Sequence, residues 1–300
     1  MSATNNGNNA QRTTDITTDN TTAPTAVTPT ARLPGAYSEL DVQQRGPICV
    51  ITFNRRAVCN ALTRRGYYEL IRALADATFD DTITTIVITG AAGYFSAGND
   101  LTQLRRYGDA KAFLRSADYV LRLLIKAFIF CPKVLVALVD GACIGMGFVF
   151  AALCDVVYCT ERAYFQAPFT QLGICPEGCL TYLLPQLLGR VKAAELLLFG
   201  ASMSAEEALH FNFVARIIPT TEVETQFWSP LEQRARLPVE SLRATKRLFS
   251  QSERTQLLQT LQAECREALH LRMGGTYQRA IAAFVERKGR ESGELNKSKL

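Results

Sequence analysis

Short runs of β-type residues alternate with stretches of helical periodicity through the middle of this chain, and no other feature constrains its fold as tightly. Ile48–Phe53, Thr85–Gly90 and Val134–Val139 read as strands. Between them, Tyr67, Leu70, Ile71, Leu74 and Thr78 fall at helix spacing, which predicts a helix over 63–79; a second covers about 111–130 and is stopped at Cys131-Pro132. Strands that alternate with helices imply crossover connections and a mostly parallel sheet, so the fold class is α/β. A further apolar helix is expected up to Cys154 and a strand at 155–158. Beyond Val214–Ile218 the chain turns mainly helical to about Lys288, with Ser204, Glu206 and Glu207 marking one helix start.

Composition narrows the classes. The chain has 300 residues, 48% hydrophobic and 20% charged, as expected for a packed globular protein. Its net charge of +5 (33 Lys and Arg against 28 Asp and Glu) is too small and scattered to imply nucleic-acid binding. No stretch reaches the roughly 20 apolar residues of a membrane helix. With only His210 and His270, and neither at metal-ligand spacing, no metal site is expected and a Ser-His-Asp triad is disfavoured. Nine cysteines, mostly inside apolar runs, read as buried thiols in a reducing compartment.

The two ends differ from the centre. Residues 1–34 are rich in Thr, Asn and Ala and too poor in large apolar groups to offset their ordering entropy, so a disordered tail is expected. The last ten residues, 291–300, form a polar tail ending Ser298-Lys299-Leu300, which reads as a receptor-recognised address for peroxisomes or a related microbody such as the glycosome.

Ligands of open α/β sheets collect beyond the carboxyl ends of strands. Two glycine-bearing loops lie there: Gly93 to Leu101, and Gly141 to Gly147. Glycine permits close backbone approach and helix starts leave N–H groups unpaired, so two such loops are able to aim two donors at one oxygen, as an enolate or tetrahedral oxyanion requires. Each loop alone reads first as a tight turn with no ligand. Neither carries a phosphate-loop ending or a complete dinucleotide fingerprint.

Taken in order, Ser96-Ala97-Gly98-Asn99-Asp100-Leu101, Val139-Asp140-Gly141 through Gly147, Cys154-Asp155, Arg162 to Phe165 and Phe169 to Gly173 resemble the crotonase (enoyl-CoA hydratase/isomerase) superfamily over about residues 38–290. The resemblance implies a crotonase-like spiral ββα core over 35–220, a C-terminal helical region over 221–290 used in trimer or hexamer assembly, and an acyl-CoA thioester substrate with no separate cofactor. It further implies that the thioester oxygen is held by the backbone N–H groups of Asn99 and Met146. Ala97 would lie near the adenine, and Ser96, Gly98, Asp100 and Gly145 would complete the substrate-binding loops.

Family hydratases carry two glutamates at places held here by Val149 and Phe169, neither of which transfers a proton. The loop Gly173-Ile174-Cys175-Pro176-Glu177-Gly178-Cys179 supplies another acid and is otherwise free of charge, so apolar surroundings without a second charge are expected around Glu177. From the loop alone Glu177 reads as a surface turn residue. The Pro-Glu-Gly, however, is similar to that of peroxisomal Δ3,Δ2-enoyl-CoA isomerases, and the resemblance implies that Glu177 is the catalytic acid and base of a 1,3-proton shift. Hydration, dienoyl-CoA isomerisation and a non-catalytic scaffold remain alternatives. Asp100 and Asp140 read as structural. Arg55, Arg56, Arg287 and Lys288 are candidate partners of the CoA phosphates, or a solvated basic surface. Tyr94, Phe95 and Phe148 to Phe150 read as core before acyl channel.

Overall fold

The structure is a computed structural model and describes residues 37–106, 110–284 and 286. The expected N-terminal tail, the Ser-Lys-Leu terminus, Arg287 and Lys288 lie outside the described residues. Strands and helices follow one another among those described: β1 (Leu40–Arg45), β2 (Ile48–Phe53), α1 (Arg64–Phe79), β3 (Thr85–Gly90), β4 (Tyr94–Ser96), α2 (Ala110–Phe130), β5 (Val134–Val139), β6 (Ala142–Ile144), α3 (Met146–Ala152), β7 (Val156–Thr160) and β8 (Tyr164–Gln166). Then come α4 (Leu180–Leu188), α5 (Arg190–Phe199), β9 (Ser202–Ser204), α6 (Ala205–His210), β10 (Arg216–Ile218), α7 (Ser229–Arg234) and α8 (Val239–Met273).

Two sheets rise side by side. The larger has the order β1-β2-β3-β5-β7-β10, parallel except for the β1–β2 hairpin, and the smaller has the order β4-β6-β8-β9. The chain thus lays a long strand in one sheet, a short strand in the other, then a helix, and repeats. This is the expected spiral of ββα units. The second sheet escapes sequence reading because a three-residue strand is too short to show a period of two.

Period two is visible in the long strands instead. Ile86 and Ile88 of β3 and Leu135, Ala137 and Val139 of β5 enter the main core. The intervening Val87, Val136 and Leu138 pack on the other face against Phe227 and Leu231. A parallel sheet buried on both sides needs such continuous apolar runs. Phe95, Phe148, Val149 and Phe150 are fully buried in the main core, whereas Tyr94 is exposed.

Helix α8 runs 35 residues. Near its start, the Lys246 Nζ donates to the Lys133 carbonyl at 2.6 Å and to the Asp155 carboxylate at 2.7 Å, fastening the helix to the ends of β5 and β7. Helix α1 begins at Thr63, whose Oγ1 accepts from the N–H groups of Arg65 and Gly66 while its hydroxyl donates to Glu39 at 2.5 Å. A side-chain cap of this kind satisfies two otherwise orphaned donors. Thr63→Ala should therefore lower unfolding stability by about 1–2 kcal/mol, and Thr63→Ser should retain most of it. Urea midpoints that coincide for all three proteins would contradict this account of the α1 start.

Candidate active site

The loop after β4 is clamped from behind. The Ser96 hydroxyl donates to the Asn60 carbonyl at 2.8 Å and accepts from the Gly98 N–H at 3.0 Å. Leu62 N–H donates to Gly98, and Asp100 N–H donates to Leu62. This parallel bridge between Leu62 and Asn99 uses the N–H groups of Leu62 and Asp100, so the Asn99 N–H is directed to the opposite side. Gly98 has φ +84°, and a Cβ on it would stand 2.8 Å from the Ile144 carbonyl and 3.1 Å from the Met146 nitrogen. The two glycine loops are therefore in contact, and only glycine permits it.

Across that contact, Gly145 has φ +56° and precedes α3, whose first residue is Met146. The first N–H groups of a helix have no partner within it. Asn99 and Met146 line one small cavity of about 50 Å³ together with Ala97, Gly145 and Phe169.

A second cavity, of about 80 Å³, shares Asn99, Leu101, Arg272 and Tyr277 with the first and is also lined by Tyr67 and Glu177. Glu177 is fully buried. It projects from the loop that ends in Gly178 (φ +75°) and Cys179 (φ +71°). A Cβ on Gly178 would overlap Val149 at 2.3 Å, so Val149, where a hydratase glutamate was sought, instead packs under the Glu177 loop. Tyr67 donates its hydroxyl to the Asn99 side-chain oxygen, and burial, with Glu177 nearby, pushes its pKa well up.

The expectation of surroundings free of charge is corrected here. Arg272 of α8 places Nη2 2.7 Å from both oxygens of Glu177. Both side chains are buried. Burial pulls the guanidinium down, but the adjacent Glu177 charge outweighs it and the net displacement is upward. Two turns earlier on α8, the buried Glu264 accepts from Cys179 N–H (2.6 Å), Thr181 N–H (2.9 Å) and the Thr181 hydroxyl (2.5 Å). It thereby caps α4 and holds the far end of the loop. Neither residue was found from sequence. The signal was available, since Leu257, Leu261, Glu264, Ala268 and Arg272 recur at helical spacing on the buried face of α8, and two charges on such a stripe mark a polar site.

Other expected site residues have different roles. Ser96 faces inward and holds the loop rather than substrate. The Asp100 carboxylate accepts from Thr102 and from Arg55 at 3.0 Å; burial raises its pKa, but these bonds prevail and hold it low. Arg55 also donates to the Ala61 carbonyl and faces Glu39, so it helps to hold the loop. Arg56 is exposed and donates to Asn54. Asp140 is paired with Arg162 and Thr160. All nine cysteines are free. Burial, then the charges of Glu177 and Glu264, pushes Cys175 up to about 11, and burial pushes Cys179 higher still, so both are thiols near neutrality. Among the described residues no group of His, Cys, Asp or Glu is placed to hold a metal, and no helix is long and apolar enough to cross a membrane.

Two backbone donors at the meeting of glycine loops, with one buried carboxylate nearby, make a site for moving protons next to a carbonyl whose oxygen takes up charge. The chain belongs to the enoyl-CoA hydratase/isomerase family, whose profile matches residues 43–292. It is 39% identical over 248 residues to enoyl-CoA delta isomerase 2 of Rattus norvegicus, a match covering 82% of this chain and 63% of that protein. It is 36% identical over 244 residues to the peroxisomal enoyl-CoA delta isomerase 3 of Mus musculus, covering 81% and 77% respectively. The crystal structure of an enoyl-CoA hydratase/isomerase from Pseudoalteromonas atlantica T6c superposes with a TM-score of 0.76 at 28% identity, covering 83% of this chain and 98% of that one. The chain thus spans under two thirds of the length of the rat relative.

Burial raises the pKa of Glu264 to about 7 from a reference of 4.5. The folded protein then binds the proton more tightly than the unfolded chain, so this group stabilises fully below about pH 4.5 and its contribution is lost as pH rises toward 7. Melting curves of the wild type and Glu264→Gln across pH 4–8 should show the wild type losing ground to the variant over that window, then holding level. A difference independent of pH would refute the assignment.

Proposed function

We propose that this protein is a Δ3,Δ2-enoyl-CoA isomerase that converts 3-enoyl-CoA thioesters to trans-2-enoyl-CoA in the oxidation of unsaturated acyl chains. The observation that carries the reading is the position of Glu177: a buried carboxylate on the cavity that adjoins the Asn99 and Met146 backbone donors. The ionised carboxylate takes a proton from C2, and the electron pair moves into a dienolate whose oxygen accepts from Asn99 N–H and Met146 N–H. The protonated carboxyl then delivers the proton to C4. One acid suffices because the departing and arriving protons lie two bonds apart along one face of the chain. Each main-chain donor contributes roughly 3 kcal/mol to barrier reduction. Since these donors belong to backbone, Met146 serves as well there as glycine.

Hydration needs a second proton-transferring group, and the sites where one was sought hold Val149 and Phe169, both buried and apolar. Dienoyl isomerisation needs an acid at a remote carbon, and Asp100 and Asp140 are both held in ion pairs. The likeness to the two delta isomerases supports the same choice. Exposed apolar groups on α5 and α8, Leu198, Phe199, Leu248 and Phe249, support assembly into a homotrimer or hexamer. The Ser-Lys-Leu terminus supports import into a peroxisome or glycosome matrix by a receptor, with no nucleic acid and no membrane span involved.

With 3-hexenoyl-CoA as substrate, the wild type should generate the conjugated thioester absorbance, and Glu177→Gln should lower kcat by at least about a hundredfold. Hydrated product from both proteins, identified by mass, would move the assignment to a hydratase; intact CoA binding without turnover would leave a scaffold. Gly98→Ala, which forces the two loops apart, should lower kcat by on the order of a hundredfold while Glu177 is untouched. Full activity in that variant would remove the oxyanion donors from the mechanism.

A further inference from the structure

We propose that Arg272 is the positioning residue and standing counter-ion of this reaction, holding Glu177 as an oriented carboxylate and then balancing the charge that moves to the substrate. The proposal rests on Glu177 being the base. Its ground is geometric. A single guanidinium nitrogen lies 2.7 Å from both carboxylate oxygens, which sets the direction of the whole acid group. Tyr277, beyond the end of α8, stands beside the same guanidinium and shares both cavities with it.

Arginine does not give up its proton, and an unpaired buried guanidinium is costly, so Arg272 needs an anion beside it at every stage. At rest that anion is Glu177. When the C2–H bond breaks, the proton goes to a Glu177 oxygen and the electron pair goes through C1 to the thioester oxygen, so the carboxyl becomes neutral and the dienolate becomes the anion. When the carboxyl O–H bond breaks and C4–H forms, the double bond settles between C2 and C3 and Glu177 regains its charge. The site therefore stays neutral as a whole while one negative charge passes across it and back. Arg272 is placed for both positions, because it lines the cavity holding Glu177 and the one holding Asn99 and Met146. The groups facing Glu177 from packed elements are Tyr67 of α1, Cys175 of its own loop, Glu264 and Cys265 of α8, and Tyr277. Arg64 and Asp100 also line the cavity that holds Glu177, and Arg64 donates to Ser116 at 3.0 Å; among the described groups Arg272 is the cation hydrogen-bonded to Glu177.

Steady-state kinetics of the wild type, Arg272→Met and Arg272→Lys from pH 5 to 9 test this, beside melting temperatures of Arg272→Met, Glu177→Gln and the double variant. Arg272→Met should lower kcat on the order of a hundredfold with little change in KM, and the acid limb of kcat/KM should move to higher pH by about one unit or more, because removing the cation favours the protonated carboxyl. Arg272→Lys should recover at least about tenfold of the loss and return the limb toward the wild-type position. The double variant should melt above both single variants, since each of those leaves one buried partner uncompensated. A folded Arg272→Met with wild-type kcat and an unmoved pH profile would overturn the proposal and leave the pair purely structural. If Arg272→Met does not fold, Arg272→Lys decides alone: a kcat lowered by up to about tenfold with a limb near the wild-type position supports the positioning counter-ion, and either a wild-type kcat or a loss as complete as in Glu177→Gln overturns it. A wild type that does not isomerise 3-hexenoyl-CoA removes the function itself, which is separable from an active wild type indifferent to Arg272.

Discussion

A carboxylate with no access to water cannot remain charged without a partner, and the half of this molecule that carries the candidate site is arranged around meeting that requirement for Glu177. The loop that carries it is only seven residues long and holds no basic residue. Its partner comes instead from α8, nearly a hundred residues later in the chain, and the same helix supplies Glu264 to cap the helix that follows the loop. The position of α8 is in turn set by Lys246, which ties its first turns to the ends of β5 and β7. A C-terminal helix that reads as an assembly region is thereby also a wall and a clasp of the candidate active site.

The opposite wall depends on close contact between two backbones. Gly98 lies against Ile144 and Met146 with no room for a side chain, and the bridge from Leu62 to the Asn99 segment leaves the Asn99 N–H on the side opposite the bridge. The spiral of ββα units makes this meeting possible, because β4 and β6 are neighbours in the small sheet and both loops leave that sheet at the same end. Donors drawn from main chain impose little on side-chain identity, so the chemistry tolerates Met146 while the conformation does not tolerate a residue larger than glycine at position 98.

Several residues close to the site serve to hold it. Ser96 ties the first loop to Asn60, Asp100 pairs with Arg55, and Tyr67 fixes the Asn99 side chain. Ser96 and Asp100 stand on the substrate loop that the motif marks, and their hydrogen bonds to neighbouring residues fix its shape, with Asp100 also lining the cavity beside Glu177.

The alternation of apolar runs determined the α/β class, the long strands and helices α1 and α2, because periodicity is a local property that survives in a linear string. The ordered motifs likewise brought out Asn99, Met146 and Glu177 and located the glycine loops, and the apolar Val149 and Phe169 argued against hydration before any contact was known. The short second sheet was beyond reach, since three residues carry no period. So were the pairing of Glu177 with Arg272 and the cap from Glu264, because a contact between residues about ninety apart depends on how helix α8 crosses the loop, and that crossing is settled only when the whole core packs. The resemblance carried by the ordered motifs named the acid; tertiary structure alone decided which charge stands beside it.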